Sequence, residues 1–572
     1  MRIPQLITPE LQQRTNGVGR ILALAGGVVM IAAPFLPWAY GRSALDNMTV
    51  LGYPSPLQFL LLVLGALVVG LLVGGQLFTK KKRKRRVGWV RGAKAAATGS
   101  LVYIVLIMIS IAAELGGLVN VVYGGWLALV GALLAFVGTK LMVPDRAPNL
   151  AAAVAPAWAE IGAIALMMAL ALFGAAFALN MEDGGSFVSF LSFVGAVIAV
   201  LFSSGVMGWL SSCTQRHRKV LILSAFIVAF AFPLTQDGSD ANMSIAVQVI
   251  IFAATAMGLN IVVGLAGLLD LGYIAFLGAG AFTAAVLSKS AFATIDWNPP
   301  FIVVVVISGC ISATLGLIIG SPTLRVSGDY LAIVTLAFGE IFRISMNNLD
   351  GQDGPDLTHG SNGIPGVPDL NLFGFDFGET HELFGIPLGR FSNYYFLLLL
   401  VIGLIILVFV RLNNSRIGRG WVAIREDEKA AEAMGVNVFG LKLFAFAGGA
   451  FLAGVAGSVK AHVDVSVTPD QYVFLESAFL LAAIVLGGMG TVLGVLIGAT
   501  LLKLMPEKLR FVNEYRLLIF GLLLVLMMRF RPEGLVPSQR RQLEFHEDDE
   551  ELAERIEEEI EETGVVRGGG AL

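Results

Sequence analysis

The sequence predicts an all-α fold, a polytopic helical membrane protein with about 14–16 transmembrane helices. The 572-residue chain is 56% hydrophobic and only 14% charged, and its mean hydropathy is +0.79, whereas roughly a quarter of the residues of a soluble domain are charged. The apolar residues fall in long runs such as "YYFLLLLVIGLIILVFV" at 394–410. About 20 such residues cross the ~30 Å hydrocarbon core of a bilayer. The 67 glycines, many of them inside these runs, are typical of close helix packing in lipid.

Residues 1–215 are predicted to form an N-terminal membrane extension. Its apolar runs are plain stretches of Ala, Leu and Val without a motif that assigns them a role. We expect six spans, near 20–40, 57–79, 99–119, 123–142, 158–180 and 187–210.

Residues 216–543 carry denser glycines and more polar interruptions, and we expect a separate domain here. Two segments, "GLLDLGYIAFLGAGAF" at 267–282 and "AIVLGGMGTVLGVLIG" at 483–498, contain glycines that predict broken or re-entrant helices. The expected spans lie near 219–235, 244–267, 271–290, 301–320, 329–348, 393–411, 440–461, 472–488, 491–505 and 514–530.

Basic residues in short loops predict the orientation, because such loops stay on the cytoplasmic side. The four basic stretches are "KKKRKRR" at 80–86, "QRHRK" at 215–219, the 411–425 loop and "RFRPEG" from 529. An even number of predicted spans separates each from the next, so one topology satisfies all four. It predicts a multi-pass protein of the plasma membrane with both termini in the cytoplasm.

Two further segments stand apart from the spans. The same topology places residues 348–391 outside the cell, in a loop rich in Gly, Pro, Asn and Asp, which are turn residues. A loop of this length is typical of a functional or partner-binding segment, and a rigid cap on the helices is the alternative. Residues 544–572 form a strongly acidic tail, predicted to be cytoplasmic, to which we assign no function.

The motifs of membrane enzymes and ATPases are missing from the sequence. It contains no G-x-x-x-x-G-K-[ST] phosphate loop and no H-E-x-x-H, and its five histidines and two cysteines are scattered. We therefore expect no enzymatic activity, no cofactor and no metal site in this chain. Carboxylates within the spans are few, which argues against a proton-coupled carrier and favours a transport pathway driven by an external motor.

Ionisable residues at membrane depth are costly and mark candidate pathway positions. Asp270 lies at the first glycine-rich break, where an exposed helix N-terminus would favour an anionic group of a substrate. Glu340 and Arg343 are three residues apart on one helical face. They either neutralise each other as a local ion pair or meet a charged substrate.

Several segments between residues 219 and 540 resemble the M-type permease subunit of branched-chain amino acid ABC importers. They are "GLNIVVGLAGLLDLGYIAFLGAGAFTAA" at 258–285, "SGDYLAIVTLAFGEIFR" at 327–343, "GSNGIPG" at 360–366, "SRIGRGWVAIREDEKAAEAMGVNV" at 415–438, "AIVLGGMGTVLGVLIGA" at 483–499 and "RFRPEGLVP" at 529–537. The first 215 residues and the acidic tail lie outside this resemblance.

The resemblance implies a machine of several subunits. This chain would pair with an H-type permease subunit, two cytoplasmic ATPases would hydrolyse ATP, and an extracytoplasmic binding protein would deliver the substrate. Leu, Ile and Val are the implied substrates. Urea, short amides or other amino acids remain open within the same family, and a stand-alone secondary carrier or channel remains open as another class.

The resemblance also implies that residues 411–437 hold the ATPase-coupling helix, whose family motif is E-A-A-x-x-x-G. Here Lys429 replaces the Glu of that motif, followed by Ala430, Ala431 and Gly435. Small alanines would let the helix seat in a groove of the ATPase, and the glycine would end the helix. Rim charges would come from Arg425, Glu426, Asp427 and Glu428. The alternative is a plain amphipathic connector at the membrane surface.

Overall fold

A computed structural model gives the architecture. It describes residues 9–39, 56–78, 87–508 apart from short gaps at 146–147, 149, 152, 182–183, 296, 324–328, 353 and 384, and then 515–530 and 534–536. The basic run at 80–86 and the acidic tail at 544–572 lie outside these residues.

The described part of the chain is almost entirely helical, as the sequence predicts. Thirteen of its helices are long and apolar enough to cross a membrane. Each of the sixteen predicted spans corresponds to a helix, and the three beyond those thirteen are shorter, with 13, 17 and 15 residues. The polytopic helical fold class is therefore confirmed.

The described residues up to Phe232 form one compact unit and those from Pro233 a second. The domain boundary predicted after residue 215 marks where the resemblance to the permease subunit begins, and it stays a prediction. The helix Arg218–Ala231, which follows the predicted boundary, packs against the helix Ala157–Asn180 of the first unit.

The described residues of the first unit form eight α-helices. Helices α1 and α4 pack closely: a Cβ atom on Gly26 of α1 would lie 2.4 Å from the amide nitrogen of Ala135 in α4. Gly205, with φ +82°, ends α6, so the single span predicted at 187–210 is interrupted near its end. The helices are α1 (Pro9–Ala32), α2 (Pro56–Phe78), α3 (Trp89–Leu115), α4 (Tyr123–Lys140), α5 (Ala157–Asn180), α6 (Gly184–Ser204), α7 (Val206–Arg216) and α8 (Arg218–Ala231).

A buried ion pair ties α7 to α5. The Oε1 atom of Glu160 accepts a hydrogen bond from Nη2 of Arg216 at 2.6 Å, and its Oε2 atom lies 3.1 Å from Nε2 of His217. The hydrogen bond to Glu160 raises the pKa of the Arg216 guanidinium above its ordinary value. Glu160 is thus a fixed anchor between two helices of the first unit.

The second unit contains the remaining helices, arranged around α9 and α16. Helix α9 packs against α13, α16, α17 and α18, while α16 packs against α10 and α11. Glycines permit close contact between α10 and α16, because a Cβ atom on Gly280 would lie 2.3 Å from the carbonyl oxygen of Gly454. The helices are α9 (Asp240–Asn260), α10 (Ile274–Val286), α11 (Phe301–Thr323), α12 (Asp329–Asn347), α13 (Arg390–Asn413), α14 (Arg416–Glu426), α15 (Glu428–Ala433), α16 (Val438–Asp464), α17 (Phe474–Gly487), α18 (Val492–Lys508) and α19 (Arg516–Phe530).

Both glycine-rich segments are broken, as predicted. Helix α9 passes into a π-helical turn at Ile261–Leu265 and then into an irregular stretch before α10 begins at Ile274. Helix α17 ends at Gly487 and α18 starts at Val492. Gly488 and Gly490, with φ of +124° and +77°, occupy backbone conformations that side chains rarely adopt.

The described residues of the 348–391 loop include two small hairpins. Strands β1 (Asn371–Leu372) and β2 (Phe375–Asp376) pair with each other, as do β3 (His381–Leu383) and β4 (Ile386–Leu388). Asp369 anchors the loop to the start of α13, because its Oδ1 atom accepts from Nε of Arg390 at 2.6 Å and from the Tyr394 hydroxyl at 3.0 Å.

Candidate functional site

The polar segment 411–437 folds into two short helices, α14 and α15. The Ser415 hydroxyl accepts a hydrogen bond from the Gly418 amide at 3.2 Å and caps the start of α14. Asp427 does the same for α15, accepting from the Ala430 amide at 3.0 Å. The side chain predicted as a rim charge at Asp427 is therefore also the cap that starts the second helix.

Gly435 ends this segment as the sequence predicts. Its φ is +82°, and its amide donates to the carbonyl oxygen of Glu432 at 2.9 Å. No atom lies within 4 Å of a Cβ placed on Gly435. The glycine is thus required by backbone conformation and not by crowding.

Two pairs of side chains hold the helix pair against α16. Trp421 is fully buried and donates through Nε1 to the carbonyl oxygen of Leu441 at 2.7 Å. Its ring stacks on Phe444, with centroids 6.0 Å apart. Lys442, with a side chain only 8% exposed, pairs with Glu428 at 2.6 Å. The segment is therefore fixed to the helix that follows it and is not a loose connector.

The two alanines of the motif differ in exposure. Ala431 is 4% exposed and packs within its own chain, so its small size serves the seating of α15 on this protein. Ala430 is exposed, as are Lys429, Glu426 and Gly435. The sequence analysis missed Met434, whose side chain is 85% exposed beside this surface.

Arg425 points inward from α14. Its Nη1 atom donates to the carbonyl oxygen of Gly264 at 2.8 Å, within the π-helical turn that follows α9. A Cβ atom on Gly267 would lie 2.5 Å from Cγ of Arg425. Arg425 thus joins the coupling segment to the first broken helix, and only 22% of its side chain is exposed.

The two helix breaks meet beneath this segment. Buried Asn260 accepts through Oδ1 a hydrogen bond from the Gly490 amide at 2.8 Å, which joins the end of α9 to the break between α17 and α18. The chain at 535–536 adds two hydrogen bonds, in which the amides of Leu535 and Val536 donate to the carbonyl oxygens of Leu486 and Gly487. We define the coupling face as the exposed residues Glu426, Lys429, Ala430, Met434 and Gly435.

Asn260 was not found by sequence reasoning. The available signal was one amide side chain in an otherwise apolar run, four residues before Gly264. A Cβ atom on Gly264 would lie 2.0 Å from Oδ1 of Asn260, so the asparagine and the glycine form one local packing arrangement. Only the fold shows that the partner of Asn260 is a loop 230 residues further along the chain.

Asp270 is buried, 1% exposed, between α9 and α10. Its Oδ1 atom accepts from the Gly272 amide at 2.9 Å. The neighbouring amides of Leu271 and Ile274 donate to the hydroxyls of Thr335 and Ser477, both at 3.0 Å. The amides at the start of α10 are therefore engaged by this chain, and a pathway role for Asp270 stays a prediction.

Glu340 and Arg343 form the local ion pair that their spacing predicts. Nε of Arg343 lies 3.0 Å from Oε2 of Glu340. A third member, Asp470, lies 3.4 Å from Nη1 of Arg343, and sequence reasoning missed it because it is 127 residues away. Contact of these side chains with a substrate stays a prediction.

Comparison with known proteins agrees with the resemblance. A family model described as "Branched-chain amino acid transport system / permease component" matches residues 241–528. The chain is 39% identical over 340 residues to the high-affinity branched-chain amino acid transport system permease protein LivM of Salmonella typhimurium and of Escherichia coli, which covers 57% of this chain and 77% of each relative. This chain belongs to that family of permease components.

A more distant relative is the permease protein LivH of Escherichia coli. It is 30% identical over 132 residues, which covers 23% of this chain and 42% of the relative. No solved structure matches this chain.

The range matched by the permease family contains the whole described site apart from residues 534–536. It includes the coupling segment, both helix breaks and the outer loop, whereas the first compact unit precedes it. The first unit therefore lies outside the range matched by the family model, and the site lies within it.

Proposed function

We propose that this chain is the membrane-spanning permease subunit of an ATP-driven importer that carries Leu, Ile and Val. The observation that supports this most strongly is the 39% identity to LivM relatives over 77% of their length. The chain binds no ATP of its own in this proposal, because its sequence has no phosphate-binding loop. ATP hydrolysis belongs to partner subunits.

The coupling face is the proposed contact with the cytoplasmic ATPases. It combines exposed Ala430 and Met434 with the charges of Glu426 and Lys429, which gives an apolar centre with a charged rim, as protein interfaces commonly have. The inner side of the same helix pair contacts the helix breaks through Arg425. A displacement of the coupling face would thus be transmitted to the spans through Arg425.

The outer loop is the proposed docking site of the binding protein. Phe373 and Gly374 form the two-residue turn between β1 and β2, and both have positive φ, 53° and 86°. This conformation suits Asn and Gly and is strained for a phenylalanine. Phe373 is also 97% exposed, and residues held in sparsely populated backbone conformations cluster at functional sites.

An H-type permease subunit is the proposed membrane partner. The similarity to LivH supports a related second permease chain. The proposed orientation places the coupling face and both termini in the cytoplasm and the 348–391 loop outside the plasma membrane. The basic residues of the 411–425 loop support this orientation.

Uptake by whole cells tests the proposed substrates. Cells that express the complete transporter should accumulate radiolabelled leucine, and cells lacking only this chain should not. Unlabelled isoleucine and valine should compete, while urea and acetamide should not. Competition by urea with no effect of valine would instead support the family alternative.

A further inference from the structure

A cavity of about 370 Å³ opens between α9, α17 and α18. Its size falls within the range of roughly 300–1,000 Å³ that is typical of small-molecule sites. None of the residues discussed so far contributes to it. It lies beside the first halves of α9 and α17 and the last half of α18, so it is separated along these helices from the breaks beneath the coupling face.

The cavity contains charges of both signs. Nζ of Lys503 lies 3.2 Å from Oε2 of Glu476 and 5.0 Å from the ring centroid of Phe252. Glu507 lies on the same wall. Ionisable side chains within membrane spans are costly and are kept where they serve a function.

The ion pair retains capacity for further partners. The 3.2 Å contact uses one of the two carboxylate oxygens of Glu476 and one of the three N–H groups of Lys503. About a third of each side chain is exposed. A ligand can therefore reach both charges without first separating them.

The remaining wall is mainly apolar and includes Ser244 and one fixed amide. Phe252 and Leu502 are buried and line the cavity together with Ile245. Gln248 also lines it and donates through Nε2 to Asp464 at 2.7 Å, which fixes its position. Apolar side chains and a paired set of opposite charges thus face one space.

We propose that this cavity binds a zwitterionic α-amino acid with an aliphatic side chain. The carboxylate of the ligand pairs with Lys503, its ammonium group pairs with Glu476 and Glu507, and its side chain packs against Phe252 and Leu502. A neutral ligand such as urea or a sugar presents no charge to Lys503 or Glu476 and would gain neither of these ion pairs. This inference rests on the proposed function and adds the place where the permease itself contacts the substrate.

The position of the cavity relates binding to coupling. Helix α9 carries cavity residues at 245–252 and, at its end, Asn260, which accepts the hydrogen bond from the Gly490 amide. Helix α18 carries Leu502 and Lys503 and starts directly after the break that Asn260 holds. The coupling segment contacts the turn that follows α9 through Arg425, and Asn260 links the end of α9 to the break before α18.

Charge variants of the complete transporter test the proposal. Glu476→Gln and Lys503→Met should each lower leucine uptake on the order of tenfold or more, with a raised KM for the substrate-loaded binding protein. Lys503→Arg keeps the charge and should retain most of the uptake. Thr500→Val, at an exposed position of the same helix, is the matched control and should leave uptake unchanged.

The exchange variant Glu476→Lys with Lys503→Glu decides between recognition and a merely structural ion pair. It restores an ion pair but reverses the charges offered to the zwitterion, so uptake should stay as low as in the single variants while membrane assembly is normal. Full uptake by the exchange variant, or by both single variants, would overturn this inference and leave the proposed function intact. A wild-type transporter that imports no leucine would overturn both.

Discussion

At the residue scale, Gly435 shows how one backbone conformation shapes the proposed ATPase contact. Its φ of +82° with open space around the Cβ position means that a substitution is penalised only by backbone strain. Gly435→Val should cost about 1–2 kcal/mol at the end of α15, which shifts the equilibrium roughly 5–30-fold toward a frayed helix end and weakens ATPase association by at most that factor. Binding measured by titration of the purified complex checks this. Gly435→Asn should cost little, because Asn tolerates left-handed backbone, and equal effects of both variants would contradict the explanation.

Met434 and Phe373 give a reciprocal pair of residue-scale predictions. Met434→Glu should abolish co-purification with the ATPases and leave docking of the binding protein unchanged. Phe373→Asn should do the reverse, weakening docking while it relieves the strained turn and makes the hairpin more stable. Each variant is the control for the other. Loss of both interactions in either variant would show misfolding, and loss of neither would exclude these residues as contacts.

The coupling alanines show how far sequence reasoning reaches for a single residue. The motif places Ala430 and Ala431 together, yet Ala431 is buried on its own chain and Ala430 is exposed. Motif spacing gives the helix and its glycine end, because both depend on local backbone preferences. Which face of a short helix turns inward depends on α16, which the motif does not contain.

At the scale of elements, α14 is joined to a broken span by one side chain. Arg425→Ala removes the hydrogen bond to the Gly264 carbonyl oxygen and should uncouple ATP hydrolysis from transport. The ATPases should still bind, but the amount of leucine taken up per ATP hydrolysed should fall severalfold. Arg419→Ala, an exposed change on the same helix, should leave this ratio unchanged. Simultaneous measurement of uptake and phosphate release gives the ratio. An unchanged ratio in Arg425→Ala would contradict the proposed path.

The broken helices were predictable as elements and their joint arrangement was not. Glycine clusters at 264–272 and 487–490 mark the interruptions, because glycine favours irregular backbone. Asn260 and Gly490 lie 230 residues apart and meet at 2.8 Å. Nothing local in the sequence specifies that contact, since it results from packing of α9 between α17 and α18.

At the scale of the whole molecule, the described loops of the second unit fall into two groups at its opposite ends. Residues 264–267, 425 and 488–490 approach each other at one end, and Ile364 pairs with Val467 near the hairpins at the other. Which of these ends faces the cytoplasm stays a prediction of the span-counting rule. The counting rule could not say that residues up to Phe232 form their own compact unit, because it uses charge and not packing.

Labelling of single cysteines tests the orientation. With Cys213 and Cys310 replaced by serine, a cysteine at Phe373 should react with a membrane-impermeant maleimide in intact cells. A cysteine at Met434 should react only after the membrane is permeabilised. Both positions are highly exposed, so access of the reagent depends on the side of the membrane. The opposite pattern would reverse the proposed topology.

The central claim is that this chain forms the path through which ATP hydrolysis by other subunits imports branched-chain amino acids. The most direct measurement is uptake of radiolabelled leucine into proteoliposomes that contain this chain, its H-type partner, both ATPases and the binding protein. We predict uptake that requires ATP on the cytoplasmic side and stops when this chain is omitted. Leucine uptake by this chain alone, driven by an ion gradient and unaffected by ATP, would contradict the account.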